Sequence, residues 1–203
     1  MIMFPEKYKI RKARAIFLDR DGVINKEIGQ LSDIKDFLLY SFSARAIKKI
    51  NQSGYLAVII TNQPMIAKGF MTKNGLRAIH QKMETELGFQ DAKIDAIYYC
   101  PHHPERGFPG EVKKLKIKCK CRKPEIGMIK KAVKDFNIDL KRSFFIGDAS
   151  VDIKTAKNAG IRFIGVKTGY ACKDGKYPID EKILLYSNLL KAVEGIINRS
   201  VAK

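Results

Sequence analysis

No apolar run in this 203-residue chain approaches the roughly 20 residues that a bilayer span requires. The longest, at 55–60, is six residues. The opening stretch 1–14 has no apolar core of the signal-peptide kind, so a cytoplasmic protein without a membrane partner is expected. Glycine (15) and proline (7) are too few for a collagen-like or disordered chain, and no internal repeat or low-complexity linker interrupts it. Acidic residues are scarce: 21 against 39 Lys and Arg, a formal charge of +18. Such a field draws phosphorylated metabolites, nucleic acid or anionic surfaces. The basic residues are mostly lysine and no aromatic string of RNA-binding type accompanies them, which counts against nucleic acid. A nucleic-acid-binding zinc protein without catalysis stays as a distant alternative. With 45% hydrophobic residues the chain can bury a core of its own, and the expectation is a monomer with one domain, 1–203.

Short apolar runs alternate with longer amphipathic ones. Those at 15–18, 55–60, 94–99, 144–146 and 161–166 read as strands, continuous enough in apolar character to be covered on both faces. Helices are expected at 43–53, 72–87, 125–136, 150–158 and 188–197, with Thr72 as an N-cap and Gly54, Gly88 and Gly160 as stops. The alternation predicts an α/β, Rossmann-like domain built on a parallel sheet in the order 3-2-1-4-5. The loop 100–124 is too long for an ordinary connection and calls for a function or a support of its own.

Four motifs follow strand ends. Asp19 and Asp21, two residues apart and followed by Gly22, suit a hard cation, or a pair in which one attacks and the other carries protons. Thr61, Asn62 and Gln63 offer hydroxyl and amide groups to phosphate oxygens. Arg122 and Lys123 bring positive charge in front of a helix. Asp148 is a candidate cation ligand, and Asp152, one turn on, a group to orient the site; helix capping by Asp148 is the plainer alternative. Each pattern alone is common in loops and caps. With strands 1 and 4 as neighbours where the winding reverses, however, Asp19, Asp21 and Asp148 converge on one crevice, with Thr61 and Lys123 at its sides.

The long loop carries Cys100, His102, Cys119 and Cys121. In a chain read as having no signal peptide, this clustering favours metal over disulfides. Three thiolates and one imidazole complete a tetrahedral zinc shell with no position left for water, so 100–121 is expected to be a structural Zn²⁺ loop. His102 is the preferred ligand, which leaves His103 to pack or to bind substrate. Cys172 stands apart as an ordinary thiol.

The ordered set Asp-x-Asp-Gly-Val, Thr-Asn-Gln, Arg-Lys-Pro and Gly-Asp-x-x-x-Asp resembles the haloacid dehalogenase superfamily of aspartate-based phosphotransferases over most of the chain. The resemblance implies Asp19 as nucleophile, Asp21 as general acid and base, and Thr61 with Lys123 as a phosphoryl clamp. It implies a catalytic Mg²⁺ on Asp19, the backbone carbonyl of Asp21, and Asp148. A zinc loop in place of a large cap domain is similar to one branch, the heptose 1,7-bisphosphate 7-phosphatases and histidinol-phosphate phosphatases. The string around Cys100 to Pro104 and Cys119 to Pro124 looks closer to the first. The implied reaction is removal of the C7 phosphate of a small phosphorylated sugar, D-glycero-D-manno-heptose 1,7-bisphosphate, with histidinol phosphate as the alternative substrate. Asn62 and Arg122 are then substrate contacts, and Arg122 with the lysines between Lys113 and Lys123 is expected to favour a second negative charge. Pro64 and Met65, the stretch 27–30, and Ala149 depart from the usual pattern and bear on the substrate rather than on the chemistry.

Overall fold

The computed structural model describes residues 12–179 and 182–201; the stretch 1–11 and the ends of the expected 1–203 unit lie outside them. Six parallel strands, β1 (Ala15–Leu18), β2 (Leu56–Asn62), β3 (Ala96–Cys100), β4 (Phe144–Gly147), β5 (Arg162–Val166) and β6 (Leu185–Tyr186), form one sheet in the order β3-β2-β1-β4-β5-β6. The order 3-2-1-4-5 holds, with a short sixth strand added beside β5. Its two residues lack the length of an apolar run, and β5 supplies the pairing that makes them a strand.

The central strand shows why the sheet is buried on both sides. Ile16 and Leu18 enter one core and Ala15 and Phe17 the other, the two-residue alternation of a pleated strand, and all four are fully buried. Each such Leu, Ile or Phe contributes about 2 kcal/mol of burial. Helices α1 (Ser43–Gln52), α2 (Lys73–Gly88) and α5 (Leu189–Val201) cover the first face, and α3 (Gly127–Phe136) and α4 (Ser150–Ala159) the second. Thr72 caps α2 by accepting from the Gly75 amide at 3.0 Å, and Gly160 closes α4 in the left-handed region. Helix α3 begins two residues later than its apolar spacing suggests, because 119–126 are taken up in turns around the cysteines. No helix among the described residues is long and apolar enough to cross a membrane.

Candidate active site

The chain leaves β1 at Asp19, whose amide donates to the Ile146 carbonyl of β4 at 3.0 Å, so the first and fourth strands deliver their carboxylates side by side. A tight turn follows, closed by the Ile24 amide on the Arg20 carbonyl at 2.8 Å. Gly22 sits there with φ +78°, and a Cβ on it would overlap the Asp148 carboxylate. The Tyr170 amide donates to Asp148 Oδ2 at 2.8 Å. The carboxylate oxygens of Asp19, Asp148 and Asp152 lie within 4.8 Å of one another.

Lys123 reaches this cluster from the end of the long loop. Its Nζ lies 2.7 Å from Asp19 Oδ2 and 2.6 Å from Asp152 Oδ1, with the lysine side chain 1% exposed. Burial alone would strip its proton, but the two carboxylates outweigh burial and raise its pKa. Asp148 has no such partner. Burial, then the Asp152 and Asp19 charges, push it up to about 9. Three carboxylates against one ammonium leave a site that ionises fully only around an added cation, and oxygen donors of this kind suit a hard one. Asp148 is not the cap of α4: Ala149 occupies that position, and Asp152 Oδ2 accepts from the Ala149 amide at 3.3 Å.

Thr61 and Asn62 are the last residues of β2, within the strand rather than beyond it, because the β3 ladder continues to Asn62 opposite Cys100. Asn62 Oδ1 accepts from the Lys123 amide at 2.9 Å and its Nδ2 donates to the Lys123 carbonyl at 3.2 Å, so its amide holds the backbone that presents the lysine. Thr61 is buried beside it, and its hydroxyl accepts from Gln63 Nε2 at 3.0 Å.

Asp21 is clamped by Gln63, which the sequence assigned to phosphate instead, and by Arg20 and Asn25, to which the sequence assigned no role. Arg20, fully buried, spans both Asp21 oxygens at 2.8 Å and also donates to Gln63 Oε1 at 3.1 Å. Asn25 Nδ2 and Gln63 Nε2 each donate to Asp21 at 2.9 Å. Burial would raise the Asp21 carboxyl, but the Arg20 charge and the bonds from Asn25, Arg20 and Gln63 prevail and hold it below the ordinary range. Behind Arg20, its Nη1 meets His80 Nε2 at 3.2 Å, and burial followed by the Arg20 charge lowers His80 to about 4. An arginine between two aspartates, directly after an apolar strand, was the available signal for this buried clamp.

The four expected zinc ligands come together. Cys100, Cys119 and Cys121 place their sulfurs 3.2–3.5 Å apart, and His102 Nδ1 lies 3.5 Å from Cys100 Sγ and 3.3 Å from Cys121 Sγ. Zn–S bonds of about 2.3 Å would set tetrahedral edges of roughly 3.8 Å, so a modest expansion of this cluster admits the ion. His103 points elsewhere, edge-on to Phe108 and into the cleft above Asp21. The cluster also aims Arg122, whose amide donates to Cys119 Sγ at 3.4 Å and whose Nη1 donates to the His102 carbonyl at 3.1 Å.

A cleft of about 360 Å³ opens over these groups, with Asp21, Asn62 and Arg122 in its lining. Its other cations are Lys68 and Lys176, which the sequence reading missed, and not the lysines between Lys113 and Lys123. Of those, Lys123 lies beneath in the carboxylate cluster, while Lys116 is buried over the Phe108 ring at 4.4 Å, next to Glu111. Lysines spread evenly through a sequence give no sign of which will meet; the docking of 64–70 against the long loop decides it, through the Val112 amide on the Ala67 carbonyl at 3.0 Å.

A HAD-hydrolase-like family model matches residues 120–187, which carry Lys123, Asp148 and Asp152. The D-glycero-beta-D-manno-heptose-1,7-bisphosphate 7-phosphatase of Haemophilus ducreyi is 39% identical over 160 residues, 78% of this chain and 85% of that one. The corresponding alpha-heptose phosphatase of Photorhabdus laumondii is 39% identical over 187 residues, 92% and 97% of the two chains. The chain belongs to the haloacid dehalogenase superfamily of phosphatases. It is a phosphoric monoester hydrolase. Among solved structures, the D,D-heptose 1,7-bisphosphate phosphatase from B. bronchiseptica, complexed with magnesium and phosphate, superposes with a TM-score of 0.79 at 30% identity, covering 92% of this chain and 99% of that one.

Proposed function

We propose that this phosphatase removes the C7 phosphate of D-glycero-D-manno-heptose 1,7-bisphosphate through an aspartyl-phosphate, a mixed anhydride, on Asp19. The observation that carries the reading is the position of Asp19: one carboxylate oxygen held by Lys123, at the meeting of β1 and β4, two residues from Asp21, which lines a cleft with three cations, Lys68, Arg122 and Lys176, against Glu27. The names of the relatives supply the sugar, and they include both anomers.

Asp19, the Asp21 backbone carbonyl and Asp148 would hold Mg²⁺, and Cys100, His102, Cys119 and Cys121 would hold Zn²⁺. When bound, Mg²⁺ supplies the positive charge that lets an anionic carboxylate approach an anionic phosphoryl group, and Zn²⁺ ties the loop 100–121 to the domain. Asp19 attacks phosphorus, and the bond from phosphorus to the C7 oxygen breaks. Lys123 and Thr61 face the non-bridging oxygens and offset their charge. Asp21 rests ionised against Arg20, so to act as acid it swings off Arg20, takes up a proton from solvent and passes that proton to the departing C7 oxygen. Back as a carboxylate, Asp21 takes a proton from the water that attacks phosphorus, and the Asp19–phosphorus bond breaks to release phosphate.

Lys68, Arg122 and Lys176 line the cleft together with Asp21, and the second phosphate of a bisphosphate would lie among them. A cationic amine there, as in histidinol phosphate, meets three like charges, each costing about 1 kcal/mol at such distances. In this reading the working unit is a monomer, with 1–203 acting as one domain in the cytoplasm. The test is kcat/KM for heptose 1,7-bisphosphate beside histidinol phosphate, with Mg²⁺ present. The expected preference for the bisphosphate is tenfold or more, and Arg122→Ala should narrow it. Equal or reversed preference overturns the assignment.

A further inference from the structure

At the other end of the sheet from Asp19, a groove of about 590 Å³ opens between the starts of β4 and β5 and the last turns of α5. Four cations rim it: Lys141 and Arg142 just before β4, Arg162 at the first position of β5, and Arg199 near the end of α5. Among the described residues no carboxylate lines the groove, and none forms an ion pair with any of the four. Gathering like charges around one hollow is unfavourable until an anion enters it. Three of the four are arginines, whose planar forks match phosphate oxygens two at a time.

The floor is not ionic. Phe144 and Tyr186 present half-buried rings, with Ile164 and Ile196 buried between them, and Arg162 already lies over the Phe144 ring at 5.6 Å. Gly195 stands inside α5, where glycine weakens a helix, and a Cβ there would collide with the Tyr186 ring. The helix thus gives up a side chain to keep that ring in the groove. An inorganic anion would satisfy the rim and leave the rings uncovered.

We propose that this groove is a second ligand site, for a nucleoside di- or triphosphate, its base on Phe144 and Tyr186 and its phosphates on Arg142, Arg162 and Arg199. The volume suits a mononucleotide, within the range of small-molecule sites, and is too confined for a nucleic-acid duplex. Its place at the strand starts separates it from the phosphatase site at the strand ends, so the proposal stands whatever sugar the enzyme cleaves.

The experiment is calorimetric titration of the full chain, carrying Asp19→Asn to prevent hydrolysis, with ADP and ATP at physiological salt. One saturable site is expected, weakened at least tenfold by Arg162→Glu with Arg199→Glu, and also weakened by the milder Arg162→Gln with Arg199→Gln. In the Asp19 background the same pairs should leave sugar-phosphate turnover within twofold of the parent, which shows the fold intact. Binding that survives both pairs overturns the proposal. Pyrophosphate binding as tightly as ADP overturns the nucleotide assignment, because the rings would then contribute nothing. A single-stranded oligonucleotide that binds more tightly than ATP, and is lost in the same variants, replaces it with a nucleic-acid surface.

Discussion

Lys123→Met removes the buried ammonium that joins Asp19 and Asp152. The ammonium lies 2.7 Å from Asp19 and 2.6 Å from Asp152, whose side chain has no solvent exposure. Without it, the Ala149 amide is the one hydrogen-bond donor still recorded on the Asp152 carboxylate. Removing one partner of a buried pair costs about 3–5 kcal/mol, because the remaining charge is stranded. In a domain of this size each kcal/mol moves Tm by about 2–4 °C, so a fall of roughly 6–20 °C is expected by calorimetry or urea melts. The measurement belongs at about pH 8, where Asp152 cannot evade the cost cheaply by taking up a proton. Lys123→Met with Asp152→Asn should be more stable than Lys123→Met alone, since the stranded charge is gone and the Ala149 amide keeps an acceptor. Turnover should fall at least a hundredfold in the single variant and stay low in the double, because the phosphoryl oxygens still lack their cation. A single variant within about 1 kcal/mol of the parent, or a double variant no more stable than the single, would refute the reasoning.

Three other outcomes are expected. Asp19→Asn should fold and lose turnover, since an amide cannot form the acyl phosphate; a preparation free of wild type with more than about a thousandth of the rate removes Asp19 as nucleophile. Metal analysis should find about one zinc per chain, and Cys119→Ser should lower both stability and activity, because Cys119 also receives the Arg122 amide; a zinc-free preparation of full activity counts against the loop assignment. His80, lowered to about 4 by burial and Arg20, stays neutral in the fold while the unfolded chain protonates near pH 6.5. The unfolded state therefore binds more protons between those values, and stability falls as pH drops through the window, by about 3 kcal/mol. His80→Gln should flatten that slope in acid melts, and an unchanged slope would mean that other groups set it.

The sequence by itself determined what is local or repeated along the chain. Five strands showed as apolar runs because burial on both faces forbids polar residues in them, and Thr72 and Gly160 marked helix ends because capping is settled within one turn. The cluster of Cys100, His102, Cys119 and Cys121 was legible because three thiols and an imidazole crowd one polar loop, Asp19 and Asp148 because each follows a strand, and Lys123 because it stands in front of a helix. Only the tertiary structure decided which groups meet across distance. Asn62 spends its amide on the Lys123 backbone, 61 residues away, and Arg20 turns inward to Asp21, Gln63 and His80, contacts that no spacing encodes. Lys68 and Lys176 enter the cleft while Lys116 is buried and Lys113 and Lys114 stay on the surface, a sorting made by how the long loop docks on 64–70. The sixth strand, two residues long, exists because β5 offers it an edge to pair with. Pattern records what a residue needs from its own segment, whereas the partner of a charged side chain depends on the path of the rest of the chain.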